Sequence, residues 1–134
     1  MVYQPQMYQV IVQDHFSAAH QLRGLDGVCE NLHGHNWKVD VVVEAQTLDS
    51  WGCVVDFHWV EKELKEILDQ FDHQILNEIP YFQDVNPSAE NVARFCFEEL
   101  SRKLENLSHP EGEHTRVKKV TIWETDRLGA SFYA

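Results

Sequence analysis

The alternation of apolar and polar positions is clearest over residues 37–45. Trp37, Val39, Val41, Val43 and Ala45 fall on one face there, with Lys38, Asp40 and Glu44 on the other. A period of two is the signature of a half-buried strand. A weaker alternation predicts an earlier strand at 8–13, and residues 117–124 and 130–133 predict a third and a fourth. After Gly52 the period lengthens. Phe57, Val60, Leu64, Ile67, Leu68 and Phe71 recur at helical spacing, behind Asp56 as N-cap and with Glu61 and Glu63 in the early turns. A second helix is expected after Pro87, capped by Ser88 with Glu90 in its first turn. Its stripe is Val92, Phe95 or Cys96, Leu100 and Leu104, and it ends before Ser108. The order strand, strand, helix, helix, strand, strand predicts an α+β fold, a four-stranded antiparallel sheet with both helices on one face. Such a sheet has two open edges, so a homo-oligomer with sheets continuing between subunits is expected.

Composition narrows the class. A chain of 134 residues is expected to form one domain, 1–134, and a hydrophobic share of 43% with four tryptophans excludes a disordered one. No apolar run reaches the length of a membrane span, and residues 1–7 lack the pattern of a signal peptide, so a soluble cytoplasmic protein is the expectation. A formal charge of -11 argues against nucleic acid and sits awkwardly with any anionic substrate. Three cysteines, an odd number, read as reduced thiols, with Cys53 and Cys96 as small core residues.

The candidate chemistry begins between the first two strands, in a long loop carrying Arg23, Gly24, Gly27 and Cys29. His33 and His35, two apart at a strand entrance, point to one side, and His20 upstream supplies a third nitrogen. Three histidines without an obvious fourth ligand describe a zinc with an open position; the plainer reading is a polar strand end. Cys29, four residues before His33, is an ordinary loop thiol, a fourth ligand or a reactive thiolate. Asp72-His73 reads as a helix-end cap or as a carboxylate orienting a basic imidazole. Glu124 and Glu90 read as surface charge and helix N-terminal charge, or either as an anchor for a planar donor edge. His15, His58, His109 and His114 belong to no constellation.

Taken in order, Phe16-x-x-Ala19-His20, Cys29-x-x-x-His33-Gly-His35, Gly52-x-Val-x-Asp56-Phe57, Asp72-His73-x-x-Leu76-Asn77, Pro87-Ser-x-Glu90-Asn91 and Glu124-Thr125 resemble the 6-pyruvoyl-tetrahydropterin synthase family, and within it the 6-carboxy branch. The resemblance implies the tunnelling fold (T-fold) and zinc on His20, His33 and His35. It implies catalysis by Cys29 with Asp72 and His73 lent by a neighbouring subunit, and pterin contacts from Glu124, Glu90 and Ser88, where Ser88 replaces a common Thr. It further implies a homohexamer built as a dimer of trimers. The implied reaction takes 7,8-dihydroneopterin triphosphate and water to 6-carboxy-5,6,7,8-tetrahydropterin, acetaldehyde and triphosphate, towards queuosine. Arg23, Lys38 and Arg127 are candidates to meet the triphosphate. Two alternatives stand beside it: the pyruvoyl synthase reaction, which retains the side chain, and a zinc- and pterin-binding protein without turnover.

Overall fold

The computed structural model describes residues 4–24, 29–107 and 115–134, so Gly27, His109 and His114 lie outside the described residues. Its elements are strands β1 (Tyr8–His20) and β2 (His33–Ala45), helix α1 (Phe57–Leu68), the short strand β3 (Gln74–Ile75), a 3-10 turn at Leu76–Glu78 and the short helix α2 (Tyr81–Asp84). Helix α3 (Ala89–Glu105) and strands β4 (Arg116–Trp123) and β5 (Gly129–Tyr133) follow. The sheet has five strands in the order β3-β1-β2-β4-β5. All pairs are antiparallel except β1 with β3, which touch in parallel at Ala18 and Ala19. This corrects the expected four strands. A two-residue strand is too short to carry a period, and it forms only because the turn after α1 brings Gln74 back against β1.

The first strand is also much longer than the alternation suggests. Val12, Phe16, Ala18 and His20 all face the core, but Asp14 occupies an inward position among them and interrupts the apolar pattern. Its extension decides where the chemistry goes. The β1–β2 register sets Phe16 opposite Trp37, Ala18 opposite His35 and His20 opposite His33. Phe16 stacks on Trp37 at 5.6 Å between centroids, and the Trp37 indole N–H donates to Ala18 O at 3.0 Å. Each such fully buried large side chain contributes roughly 1.5–3 kcal/mol.

Both helices cover the inward face: α1 lies over β1, α3 over β4 and β5, and the two helices touch. The expected caps form, with Asp56 accepting from His58 N at 2.9 Å and Ser88 from Asn91 N at 3.2 Å. Glu61 and Glu63, however, lie beyond the first turn of α1, and Glu63 instead takes Lys103 of α3 at 2.8 Å, clamping the helices together. Phe57 (54% exposed) and Cys53 are exposed, against the expectation that they are core. Cys96 is buried, and that burial pushes its thiol up to about 12. Among the described residues no helix is long and apolar enough to cross a membrane.

Candidate active site

His20, His33 and His35 meet at one end of the inward face, their ligand atoms all within 4.8 Å of one another. The alternation of β2 puts His33 and His35 on the face of Trp37, and the register brings His20 alongside. The ring nitrogens are assigned by their partners. His20 Nδ1 lies 2.7 Å from Pro87 O, and His33 Nδ1 lies 2.7 Å from Asn31 O. A carbonyl oxygen only accepts, so both Nδ1 atoms carry a proton, which leaves each Nε2 as the atom able to take an ion. His20 Nε2 and His35 Nε2 are buried without a hydrogen-bond partner among the described residues. Burial lowers the His35 pKa, and His20 and His33 lower it further while Glu124 opposes them. The cluster is therefore three imidazoles whose ligand atoms converge, a donor set that fits a divalent metal.

Glu124 joins them. It follows β4 on the face of Ile122, and its carboxylate oxygens lie 3.8 Å from His20 Nε2 and 3.7 Å from His35 Nε2. At these distances the carboxylate hydrogen-bonds neither nitrogen, and a cation or donor group between them would satisfy both sides. That strengthens the fit to a metal and to a substrate bearing N–H or O–H groups.

The other predicted residues fall into two groups. Cys29 is exposed and lies on an extension of the β1–β2 hairpin, where it bridges Arg23 while Glu30 N donates to Leu22 O at 3.1 Å. Ser88 is the cap of α3, one residue after the carbonyl that orients His20, and Glu90 is exposed in the first turn of that helix. Asp72 and His73 sit elsewhere, at the β1 edge. Asp72 accepts from Ser17 N at 2.9 Å and lies 3.0 Å from His73 Nδ1, while His73 N donates to Ser17 O at 2.6 Å. The Ser17 N–H first, and His73 after it, hold the Asp72 carboxyl below its ordinary range. His73 has φ of 60° and an 81% exposed side chain, facing a depression of about 350 Å³ that Lys65 and Asp69 also line. The dyad forms, but that depression has none of the three histidines in its lining.

The sequence assigns no role to the amides behind the site, although Asn77 stands in one of its motifs. Asn77 brackets the Gln21 backbone, accepting from its N at 3.0 Å and donating to its O at 2.8 Å. Asn86 does the same to Arg23 at 2.8 and 2.9 Å. The signal available was an Asn-Pro pair at 86–87, a turn marker. Arg23 donates from Nη2 to Phe82 O and Val85 O at 2.7 and 3.0 Å, which ties that side of its guanidinium to the main chain. Lys38 packs over the Trp123 ring at 5.8 Å, and Arg127 is exposed between β4 and β5.

The family model for 6-pyruvoyl tetrahydropterin synthase matches residues 9–134 of this sequence. The chain belongs to the 6-pyruvoyl tetrahydropterin synthase family. Among its relatives, the 6-carboxy-5,6,7,8-tetrahydropterin synthase of Aquifex aeolicus is 32% identical over 123 residues, covering 78% of this chain and 75% of that protein. The dihydroneopterin monophosphate aldolase of Pyrococcus furiosus is 30% identical over 121 residues, covering 90% and 93%. The solved structure of Caenorhabditis elegans 6-pyruvoyl tetrahydropterin synthase superposes with a TM-score of 0.78 at 26% identity, over 99% of each chain. Membership in the 6-pyruvoyl tetrahydropterin synthase family makes the five-stranded sheet a T-fold and the chain an enzyme of the pterin-lyase kind.

Proposed function

We propose that this chain, as one T-fold synthase domain over 1–134, is a zinc-dependent 6-carboxy-tetrahydropterin synthase acting in the cytoplasm on the route to queuosine. It would convert 7,8-dihydroneopterin triphosphate and water to 6-carboxy-5,6,7,8-tetrahydropterin, acetaldehyde and triphosphate. The observation that carries the reading is the convergence of two buried, unpartnered Nε2 atoms beside His33, downstream of Cys29 at the three-residue gap of the carboxy branch.

His20, His33 and His35 would hold the zinc, which supplies Lewis-acid polarisation of the substrate's side-chain hydroxyl oxygens. Cys29, as thiolate, moves protons at the substrate side chain. Asp72 holds the His73 imidazole in one orientation, and His73 serves as the second acid–base group. The high exposure of His73 and its place outside the histidine cluster favour a dyad that serves a neighbouring copy, in a homohexamer assembled as a dimer of trimers. Glu124, Glu90 and Ser88 contact the pterin. The nearness of Glu124 to two imidazoles favours its contact with the part of the substrate that enters the cluster.

The same residues could retain the side chain and run the pyruvoyl reaction, a reading favoured by the likeness to the C. elegans enzyme. Zinc-loaded protein incubated with 7,8-dihydroneopterin triphosphate, with products read by mass spectrometry, separates the two. Carboxy-tetrahydropterin with equimolar acetaldehyde is expected, and Cys29→Ala should lower turnover at least a hundredfold. A pyruvoyl product would keep the site and replace the reaction. No product from a zinc-loaded oligomer would favour a binding protein without turnover or a different substrate.

A further inference from the structure

We propose that Asn86 is a positioning residue of the metal centre, setting the Pro87 carbonyl that fixes the tautomer and tilt of His20. The inference rests on the metal reading above and extends it to residues that touch neither metal nor substrate. His20 is 1% exposed, and its Nδ1–H donates to a main-chain oxygen, Pro87 O, at 2.7 Å. The position of that oxygen therefore decides where Nε2 points. A main-chain oxygen in an irregular segment stays put only if the segment is held, and residues 85–88 lie in no strand or helix.

Three side chains hold it. Asn86 pairs both polar groups of its amide with the Arg23 backbone, at 2.8 and 2.9 Å, as a strand neighbour would. Arg23 returns the contact from its guanidinium, donating to Phe82 O and Val85 O immediately before Asn86. Asn91, in the first turn of α3, donates from Nδ2 to Asn86 O at 2.9 Å. Residue 23 lies three beyond His20 on the same chain, so Asn86 ties the orienting carbonyl to the strand extension that carries its own ligand. The Arg23–Cys29 bridge continues from the same junction. Partners behind a metal-binding histidine commonly change metal affinity 10–100-fold when lost.

Asn77 offers the control. It makes the same pair of hydrogen bonds, to Gln21 on the same extension, and among the described residues it makes no hydrogen bond to the 85–88 segment. The experiment reads the His20 tautomer in metal-free protein by long-range nitrogen–proton NMR at about pH 8, where imidazoles are neutral. Zinc affinity by chelator competition is the second readout. In the wild type and in Asn77→Ala, His20 is expected wholly as the Nδ1–H form. In Asn86→Ala a mixture with the Nε2–H form is expected, with zinc affinity reduced about tenfold. Asn86→Asp keeps the acceptor for Arg23 N–H and loses the donor to Arg23 O; it should shift both readouts in the same direction by less, and it serves if the alanine variant does not fold. Wild-type tautomer and affinity in an Asn86 variant would overturn the proposal. So would an equal shift in Asn77→Ala, which would make the effect one of general stability. Absence of zinc binding in the wild type, with the tautomer pattern as expected, would sink the metal reading and leave the positioning of His20 standing.

Discussion

At one end of the β1–β2 pair, on the outward face of the sheet, Glu44 is 4% exposed and fully engaged. It accepts from Gln9 Nε2 at 3.2 Å, from Arg116 Nε at 3.0 Å, and pairs with Arg116 Nη2 at 2.9 Å. At the other end, on the inward face, His20 is 1% exposed and its Nε2 has no partner among the described residues. Both are buried polar side chains on the same two strands. One is satisfied by its neighbours, so packing and pairing explain it completely. The other would cost about 1–3 kcal/mol as an unmade hydrogen bond, which marks it as kept for something the chain itself does not supply.

The largest effect that could break this contrast is at His20. His20→Ala should lower zinc affinity more than a hundredfold, read by chelator competition, whereas Glu44→Ala should leave it unchanged. Equal effects would mean that the cluster is not a ligand set. Next comes Arg116→Ala, which leaves the Glu44 carboxylate with the Gln9 hydrogen bond and the charge of Lys118. Denaturant unfolding should show a loss of about 2 kcal/mol, less than for a fully enclosed pair because the Arg116 side chain is 54% exposed. A smaller effect concerns pH. Burial pushes the Glu44 carboxyl up, but the Arg116 and Gln9 hydrogen bonds outweigh it, so its pKa lies below the ordinary 4.5. Its ionised form thus stabilises the fold fully above that value, and the contribution fades as pH falls through the lower, folded-state pKa. The stability gap between wild type and Glu44→Gln should be constant from pH 8 to 6 and close below about 4.5. A gap that widens in acid would contradict the pairing. The smallest is Thr121→Val, which removes a hydroxyl 2.6 Å from Ser131 Oγ. Ser131 is exposed and regains water, so a loss under about 1 kcal/mol is expected in the same unfolding assay.

Much of this was readable in the sequence, for reasons that differ by residue. The β2 alternation placed Trp37, Val39, Val41, Val43 and Ala45 inward, and all five are buried. It could not show that Val42 and Glu44, on the other face, are buried as well, because that depends on β4 crossing beside them and on Arg116 arriving from far along the chain. Phe57 matched the helical spacing of α1 yet is exposed, because it is the first residue of that helix and burial begins only at Val60. The three histidines were legible because spacing of two on a strand is a geometric statement. Their convergence with Glu124 was not, since it requires the β2–β4 register. The amide brackets of Asn77 and Asn86 were equally hidden: they replace strand neighbours with side chains, and no periodicity encodes a single side chain meeting a backbone 56 or 63 residues away.

The acceptor that orients His20 is Pro87 O, a peptide oxygen, and every amino acid at position 87 carries one. No single substitution can delete it, so variation can displace that contact but never erase it. Drift at position 87 is therefore buffered, and the mutational sensitivity of the His20 orientation passes to the side chains that hold the 85–88 segment. Sequence comparisons that score only the histidines would overlook where the site is fragile.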